Sequence, residues 1–224
     1  MKRLLTLAMS LLSLSVTAQT VAGMNELNAV QKAAATNVKL TGKLSTGGNS
    51  DFRQLRDLCY QLRSIDLGSA DCEAIPNNAF HSRHVLEQVV LPENVRTIGS
   101  QAFFACTALN SIELPKTLTR VGDAAFSGCT KLRDITINGT PTLGEFAFAR
   151  LSGLRTLRVK SAVPPVASAS TFEGIDRKKV KLVVPRGSEM KYRRAEGWNR
   201  FFGTPDNDNR LCNPAEALVP VPAH

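Results

Sequence analysis

The apolar residues of this chain recur in a fixed order that repeats about every 23 positions. Residues 86–108 (LEQVVLPENVRTIGSQAFFACTA) align over their full length with residues 109–131 (LNSIELPKTLTRVGDAAFSGCTK). Both read L-x-x-[VI]-x-L-P, then an apolar residue followed by Gly, then A-F-x-x-C. Residues 62–85 fit with one residue more, residues 132–153 with one fewer, and residues 154–176 more loosely. Repetition at this period is typical of solenoid proteins, in which each unit buries its apolar face against its neighbours.

Each unit opens with an alternation of apolar and variable residues, which predicts a short strand with one face inward. The inward pairs are Ile65/Leu67, Val89/Leu91, Ile112/Leu114, Ile135/Ile137 and Leu157/Val159. A glycine column follows, which suits a turn that a side chain would obstruct: Gly99, Gly122 and Gly144. The A-F pair then predicts a short helix or 3₁₀ turn. We expect one phenylalanine per unit to stack through the interior: Phe80, Phe103, Phe126, Phe148 and Phe172.

A cysteine column lies three residues before the Leu that opens a strand: Cys59, Cys106 and Cys129. Other units hold Leu151 and Ile175 there, and Arg83 interrupts the column. A position that accepts Cys, Leu or Ile is an apolar interior position, so we favour buried free thiols. A disulfide between Cys106 and Cys129 stays open, because neighbouring coils lie about 5 Å apart. The cysteine spacing does not suit zinc and no nucleophile–base pair is visible, so we predict no catalytic, cofactor or metal site.

Residues 19–61 are expected to cap the first repeat. A stretch at 24–36 has helical spacing through Met24, Leu27 and Val30, and a strand-like stretch follows at 38–44. A second helix is predicted from residue 51, with Asp51 at the N-cap and Gln54 three residues later. Its leucines are expected to face inward: Leu55, Leu58 and Leu62.

Residues 177–203 are expected to cap the last repeat, because a solenoid exposes apolar surface at both ends unless it is covered. A last strand places Val180, Leu182 and Val184 inward. Aromatic residues of the segment that follows form a lid: Tyr192, Trp198, Phe201 and Phe202. Residues 204–224 include Cys212 and lack periodicity, so we expect them to be disordered.

The first residues predict export. Lys2 and Arg3 precede an apolar run from Leu4 to Val16, and Val16-Thr17-Ala18 offers a cleavage site before Gln19. Residues 1–18 therefore predict a signal peptide, and the run is too short for a transmembrane segment. We expect a secreted, periplasmic or cell-surface protein.

Charge is concentrated at one end of the chain. The formal net charge is +9, and residues 176–200 hold nine basic and three acidic side chains. We favour a solvated outer face of the C-terminal cap over an anion-binding site for this run. A charge confined to one end also argues against a uniformly basic nucleic-acid binder.

The unit L-x-x-I-x-L-P…V-x-x-I-G-x-x-A-F-x-x-C resembles the BspA-like, or Treponema pallidum-type, leucine-rich repeat. Residues 86–131 match it almost letter for letter, and VKLVVPRGSEMKYRRAEGWNRFF (180–202) resembles the closing segment of bacterial surface proteins in this family. The resemblance covers about residues 38–203. It implies an α/β leucine-rich-repeat solenoid, with about five 22–24-residue units at 62–176 between N- and C-terminal caps. It also implies a secreted or surface-attached bacterial protein that binds host or bacterial partners.

The leading hypothesis is a non-enzymatic protein-binding or adhesion module that uses the outward column of the strands. This column comprises Asp66, Val90, Glu113, Thr136 and Arg158, with Val183 continuing it in the cap. A flanking column comprises Ser64, Gln88, Ser111, Asp134, Thr156 and Lys181. Mixed charge and few aromatics favour a protein partner, and we expect no nucleic acid and no cofactor. Asp66 and Glu113 lie two coils apart, about 10 Å, beyond the usual glycosidase carboxylate separation. The alternative is a binder of anionic glycan, membrane or nucleic acid that uses the basic C-terminal cap.

Overall fold

Parallel strands, one from each successive unit, form the main surface of the molecule. The computed structural model describes residues 19–46 and 50–202, so the predicted signal peptide, the tail at 204–224 and Cys212 lie outside the described residues. One four-stranded sheet has the order β1 (Gln19–Val21), β2 (Asn37–Leu40), β3 (Ser64–Asp66) and β5 (Gln88–Val90). A second continues with β7 (Ser111–Leu114), β9 (Asp134–Ile137), β11 (Thr156–Val159) and β12 (Lys181–Val183). The predicted α/β repeat fold is confirmed.

The chain forms a third sheet, which the sequence did not predict. Each of its strands comes after one of the main strands in the chain. Its two-residue strands are β4 (Ala74–Ile75), β6 (Thr97–Ile98), β8 (Arg120–Val121) and β10 (Thr142–Leu143). They are parallel and lie in the order β10, β8, β6, β4. In each strand the second residue is buried, and in β6, β8 and β10 the glycine column comes directly after it. A Cβ on Gly99 would lie 2.5 Å from the backbone nitrogen of Asn77, so this column needs glycine for close packing of the coils.

The segment around each phenylalanine is a series of turns, so of the two predicted alternatives, a short helix or a 3₁₀ turn, the helix is wrong. Two residues per coil have positive φ, for example Gln101 and Ala105 at 55° and 54°. These turns direct backbone N–H groups to the next coil: Phe103 donates to the carbonyl of Ala125 and Ala105 to that of Ser127, both at 2.8 Å. Alternate backbone donors of this segment are thus used between coils, and those between them bond within the coil, as the N–H of Phe104 does to the carbonyl of Gln101 at 3.1 Å.

The phenylalanine column forms the predicted stack. Neighbouring rings from Phe80 to Phe172 have centroids 5.0–5.8 Å apart and planes within 4–13° of parallel. Phe52 closes the first end edge-on, at 6.1 Å from Phe80. Trp198 closes the other end edge-on, at 5.0 Å from Phe172. The aromatic core therefore runs without a break from one terminal segment to the other.

The N-terminal segment is less helical than expected. The stretch at 24–36 divides into a 3₁₀ helix (Met24–Glu26) and α1 (Ala29–Ala34). Met24 and Leu27 are buried as predicted, whereas Val30 is 63% exposed. In α2 (Asp51–Leu58), Leu55 is buried and Leu58 is 43% exposed, so the inward prediction for Leu58 is also wrong. Leu62 is buried after the helix ends.

Asp51 has a different role from the predicted N-cap. Ser50 caps α2 by accepting from the N–H of Arg53. The Asp51 carboxylate instead accepts from the N–H of Met24 at 2.6 Å and from the N–H and hydroxyl of Ser45 at 2.9 and 2.8 Å. Burial alone would raise the pKa of Asp51, but these hydrogen bonds outweigh burial and lower it. Asp51 thus joins three parts of the N-terminal segment.

The C-terminal segment closes the stack as expected. After a 3₁₀ turn (Arg177–Lys179) and β12 come α3 (Glu189–Arg194) and a second 3₁₀ turn (Asn199–Phe201). Tyr192 and Trp198 are fully buried, and their polar atoms donate to the carbonyls of Ser161 and Pro165 at 2.8 and 2.7 Å. Val183 is buried, so it does not continue the exposed column that the alternation predicted.

The cysteine column lies in the interior. Cys59, Cys72, Cys106 and Cys129 are free and buried, so the alternative of a Cys106–Cys129 disulfide does not hold in this structure. The thiols of Cys106 and Cys129 donate to the carbonyls of Phe80 and Phe103, at 3.0 and 3.1 Å. Burial raises the pKa of Cys59 to about 11 and that of Cys106 to about 12.

Candidate binding surface

The main strands place the predicted outward residues side by side. Asp66 is in register with Val90 in the first sheet, and Glu113 is in register with Thr136 and then Arg158 in the second. We call these five residues the strand column. The residues that alternate with them are buried, including Ile65, Ile112 and Leu157. One face of each strand is therefore committed to the core and the other is open to solvent.

The first-sheet part of the strand column combines an ion pair with an apolar residue. Lys39 in β2 is in register with Asp66, and the ammonium and carboxylate are 3.1 Å apart. Val90 is next to Asp66 and is 51% exposed. The charge on Asp66 is thus compensated locally, while Val90 offers an apolar contact.

The second-sheet part has a different charge balance. Glu113 accepts from the side-chain amide of Asn138 at 2.9 Å, and the ammonium of Lys160 is 3.9 Å away. Arg158 is exposed and has no ionic or hydrogen-bond partner for its side chain within residues 19–46 and 50–202. Arg158 is therefore a cation of the strand column that is open to an external acid.

The flanking column lies on the same sheet. Ser111, Asp134, Thr156 and Lys181 are in register across four strands. Asp134, which the sequence analysis proposed as a ligand-binding residue, is exposed to solvent. Together the two columns make a mostly polar surface with charges of both signs.

Sequence reasoning missed three residues of this surface: Lys39, Asn138 and Lys160. Lys39 lies at an outward position of the strand-like stretch 38–44, so its place in the column could have been found by extending the alternation one unit. Asn138 and Lys160 directly follow β9 and β11, beyond the alternating positions. Asn138 and Lys160 lie near Glu113 because of the register between the strands of successive coils.

The two carboxylates of the strand column are both engaged by neighbouring side chains. The Asp66 and Glu113 carboxylates belong to different sheets, and each is engaged by a lysine. In the described part of the chain, no group of three or more His, Cys, Asp or Glu side chains is placed to hold a metal ion. Likewise, no helix there has the length and apolar character needed to cross a membrane.

Three solved structures are similar to this chain at low sequence identity. The pneumococcal vaccine antigen PcpA is 19% identical over 62% of this chain and 39% of its own, with a TM-score of 0.44. A leucine-rich cell surface protein from Faecalibacterium prausnitzii is 17% identical over 70% and 43%, with a TM-score of 0.37. The T. pallidum leucine-rich repeat protein is 20% identical over 81% and 79%, with a TM-score of 0.38. The chain thus spans about two fifths of the length of the first two.

The family comparison identifies the repeats. No curated protein matches the chain. The model of the BspA-type leucine-rich repeat region matches residues 73–182 in six copies. This match extends into β12, which the sequence interpretation had assigned to the C-terminal cap. Over residues 73–182, the chain therefore belongs to the BspA-type leucine-rich repeat family.

Proposed function

We propose that this chain is a non-enzymatic binding protein, exported to the bacterial cell surface or beyond, whose strand column holds a host or bacterial protein. One observation carries the proposal: five solvent-facing residues form two in-register groups, Asp66 with Val90 and Glu113 with Thr136 and Arg158, on strands whose opposite faces are buried. Residues of this column can vary without cost to the core, and repeat proteins commonly bind partners on such continuous surfaces.

The chemistry of the strand column favours a protein partner of mixed character. Val90 supplies exposed apolar area, and Arg158 supplies a guanidinium that has no partner among the described residues. Asp66 and Glu113 are already engaged by Lys39 and Lys160, so they contribute less net charge than the sequence indicates. We expect the partner to place a carboxylate opposite Arg158 and an apolar side chain near Val90.

Export is part of the proposal and has its own test. The predicted cleavage point precedes Gln19, the first residue of β1. N-terminal sequencing of exported protein should find Gln19 first, and an intact Met1 would contradict the proposal.

A pull-down with matched baits tests the proposed function. The wild-type chain and a Glu113→Lys/Arg158→Glu variant are compared against host extracellular and co-resident bacterial proteins. The control exchanges Arg120→Glu and Glu145→Lys, which are exposed residues of β8 and of a turn and also leave the net charge unchanged. The partner should be captured by wild type and control and lost with the strand-column variant. Equal capture by all three baits would contradict the proposal.

The alternative function uses the basic C-terminal segment to bind an anionic polymer or membrane. Binding of that kind weakens steeply with salt, because counterions compete for the cations. Capture that survives 0.5 M salt would exclude it, and capture lost between about 50 and 200 mM salt would favour it over the strand column.

A further inference from the structure

The hydrogen-bond ladder of the turns ends with two unused donors. In the four preceding coils, the N–H of the core phenylalanine and the N–H two residues later donate to carbonyls of the next coil at 2.7–3.0 Å. The equivalent groups of the last coil are the N–H groups of Phe172 and Gly174. Within the described residues, neither has an acceptor. The N–H of Gly174 is the accessible one, because Gly174 is exposed whereas Phe172 is fully buried.

The backbone geometry of this turn favours an anion. Gly174 has φ of +70°, the left-handed conformation that recurs in the turns of the earlier coils. Successive N–H groups in turns that include a left-handed residue form concavities that bind anions. In the earlier coils a carbonyl oxygen of the next coil occupies this position. At the last coil the position is left for another acceptor.

Two arginine side chains lie at the same turn. Arg177 donates from Nη2 to the carbonyl of Phe172 at 2.8 Å, and its guanidinium carbon is 5.7 Å from the centroid of the Phe201 ring. The Nε of Arg177 is buried and finds no acceptor among the described residues. Arg200 extends to the carbonyl of Ala169 in the same coil, at 3.5 Å. A buried, unpaired guanidinium N–H is costly unless an acceptor reaches it.

The charge balance at this turn is positive. Neither arginine has an ion pair with an acidic side chain in the described part of the chain. Asp176 is engaged by Lys179 at 2.9 Å, which leaves Glu173 as the nearest acidic residue in sequence. Burial, and then the neighbouring charge of Arg200, lower the pKa of Arg177. The positive charge of Arg200 thus acts on Arg177, and a bound anion would compensate both.

We propose that Arg177, Arg200 and the N–H of Gly174 form a binding site for an oxyanion of the phosphate type at the C-terminal end of the stack. Guanidinium groups match the geometry of phosphate and carboxylate oxygens, and backbone N–H groups add directed donors. The site is separate from the strand column, so the two proposals stand or fall independently. It also differs from a diffuse basic surface, because it depends on two of the nine cations in residues 176–200.

The single tryptophan of the chain provides a reporter. Trp198 lies 5.0 Å from Phe172 and 6.3 Å from Phe201 between ring centroids, next to the proposed site. The full chain is titrated with inorganic phosphate at constant ionic strength, and Trp198 fluorescence is followed. A saturable change is expected. Arg200→Gln should weaken binding about tenfold, because it removes a charge-assisted donor. Arg177→Gln should weaken it at least as much.

Matched variants separate a built site from general screening. Lys178→Gln makes the same charge change beside Arg177 and should alter the affinity less than twofold. Glu173→Gln removes the nearest acid and should tighten binding. A phosphate response that does not saturate, or an equal loss in Lys178→Gln and Arg200→Gln, would overturn the proposal. Arg200→Gln is the decisive variant if Arg177→Gln fails to fold, because the one hydrogen bond that the Arg200 side chain makes among the described residues is long.

Two sources of the oxyanion are distinguished in the same titration. Asp206 and Asp208 follow Phe202 closely in sequence, so the chain's own carboxylates are one source. In that case Asp206→Asn/Asp208→Asn should bind phosphate more tightly than wild type, because an internal competitor is removed. If the affinity is unchanged, the oxyanion comes from outside the chain. Both results retain the site.

Discussion

The phenylalanine column shows how a single repeated residue determines the interior of this molecule. Its members could be predicted from the sequence because each lies at the same place in its unit, after an alanine in four units and after Thr171 in the last. Phe52 could not, because it lies in α2 outside the repeat and reaches Phe80 only through the packing of that helix. Stacked rings without polar atoms allow the coils to approach closely, which the glycine column also requires.

Truncation of one ring should be costly. Phe126 is fully buried between Phe103 and Phe148, at 5.0 and 5.4 Å. Phe126→Ala should lower the free energy of unfolding by about 3–5 kcal/mol, as measured by urea denaturation. Phe146→Ala is the control, because Phe146 is 40% exposed and its loss leaves no comparable cavity. An unchanged melting temperature for Phe126→Ala would show that the stack is misassigned.

The buried thiols should be unreactive in the folded protein. The thiolate is the form that alkylates, and burial raises the pKa of Cys106 to about 12. Cys59, Cys106 and Cys129 should therefore remain reduced and label slowly with iodoacetamide at pH 8 until denaturant is added. Mass spectrometry of the labelled chain measures this. Rapid labelling of the native state, or stoichiometric zinc, would contradict it.

The free energy of unfolding should fall at alkaline pH, because burial raises the pKa of the thiols. The unfolded thiol ionises near pH 8.5, whereas folded Cys106 stays protonated to about pH 12, so the unfolded state binds fewer protons between these values. The stabilisation is complete below about pH 8.5 and decreases as pH rises, by about 1.4 kcal/mol per pH unit for each such thiol. Cys106→Ala should reduce the slope between pH 9 and 10. An identical slope would mean that Cys106 is exposed to solvent.

At the element scale, the main strands could be predicted and the rest of each coil could not. Alternation over four residues, as in Ser111–Leu114, identifies a strand with one buried face. A two-residue strand such as Thr97–Ile98 contributes one inward residue, which sequence cannot distinguish from a turn. The left-handed turns were also missed, because residues such as Gln101 and Phe146 adopt positive φ only where the next coil accepts their neighbours' hydrogen bonds.

Errors in the terminal segments have a related cause. Helical spacing placed Val30 and Leu58 inward, but α1 and α2 are only six and eight residues long and lie at the end of the stack. One side of each has no further unit to contact. Val183 was misplaced for the opposite reason, since the C-terminal segment covers the face that is open in the other strands.

Substitutions at Gly128 and Gly99 allow the cost of backbone strain to be measured separately from the cost of steric overlap. Gly128 has φ of +77°, and a Cβ there would meet nothing closer than 3.7 Å, so Gly128→Ala should cost about 1 kcal/mol. A Cβ on Gly99 would lie 2.5 Å from the backbone of Asn77, so Gly99→Ala should cost at least twice as much. Urea denaturation of both variants measures the difference. Equal costs would contradict the close approach of coils at the glycine column.

At the scale of the whole molecule, the binding surface was only partly visible in the sequence. The period of the repeat identified the strand column, because a solvent-facing position recurs with each strand. The engagement of Glu113 by Asn138 and Lys160 depends on which residues of successive coils meet, and alternation within one strand contains no such information. Because Asp66 and Glu113 are engaged by lysines, Arg158 is more important to the proposed function than the sequence alone indicated.

The charge distribution divides the molecule into two candidate binding regions. The strand column has charges of both signs, whereas residues 176–200 are strongly basic. Reversal of charges on a protein-binding surface changes orientation and association rate, and it leaves a point-charge site elsewhere unaffected. Variants of each region therefore report on separate functions, provided that each variant keeps the wild-type melting temperature.

The dissociation constant of the captured protein partner, measured by calorimetry for three forms of the chain, tests the central claim most directly. Glu113→Lys/Arg158→Glu should abolish measurable binding while the melting temperature stays within about 2 °C of wild type, because both residues are exposed. A variant with Lys178, Lys179, Arg193 and Arg194 changed to Gln should retain an affinity close to that of wild type. If the strand-column variant binds normally and the basic-segment variant does not, the binding site lies on the C-terminal cap and the proposed function is wrong.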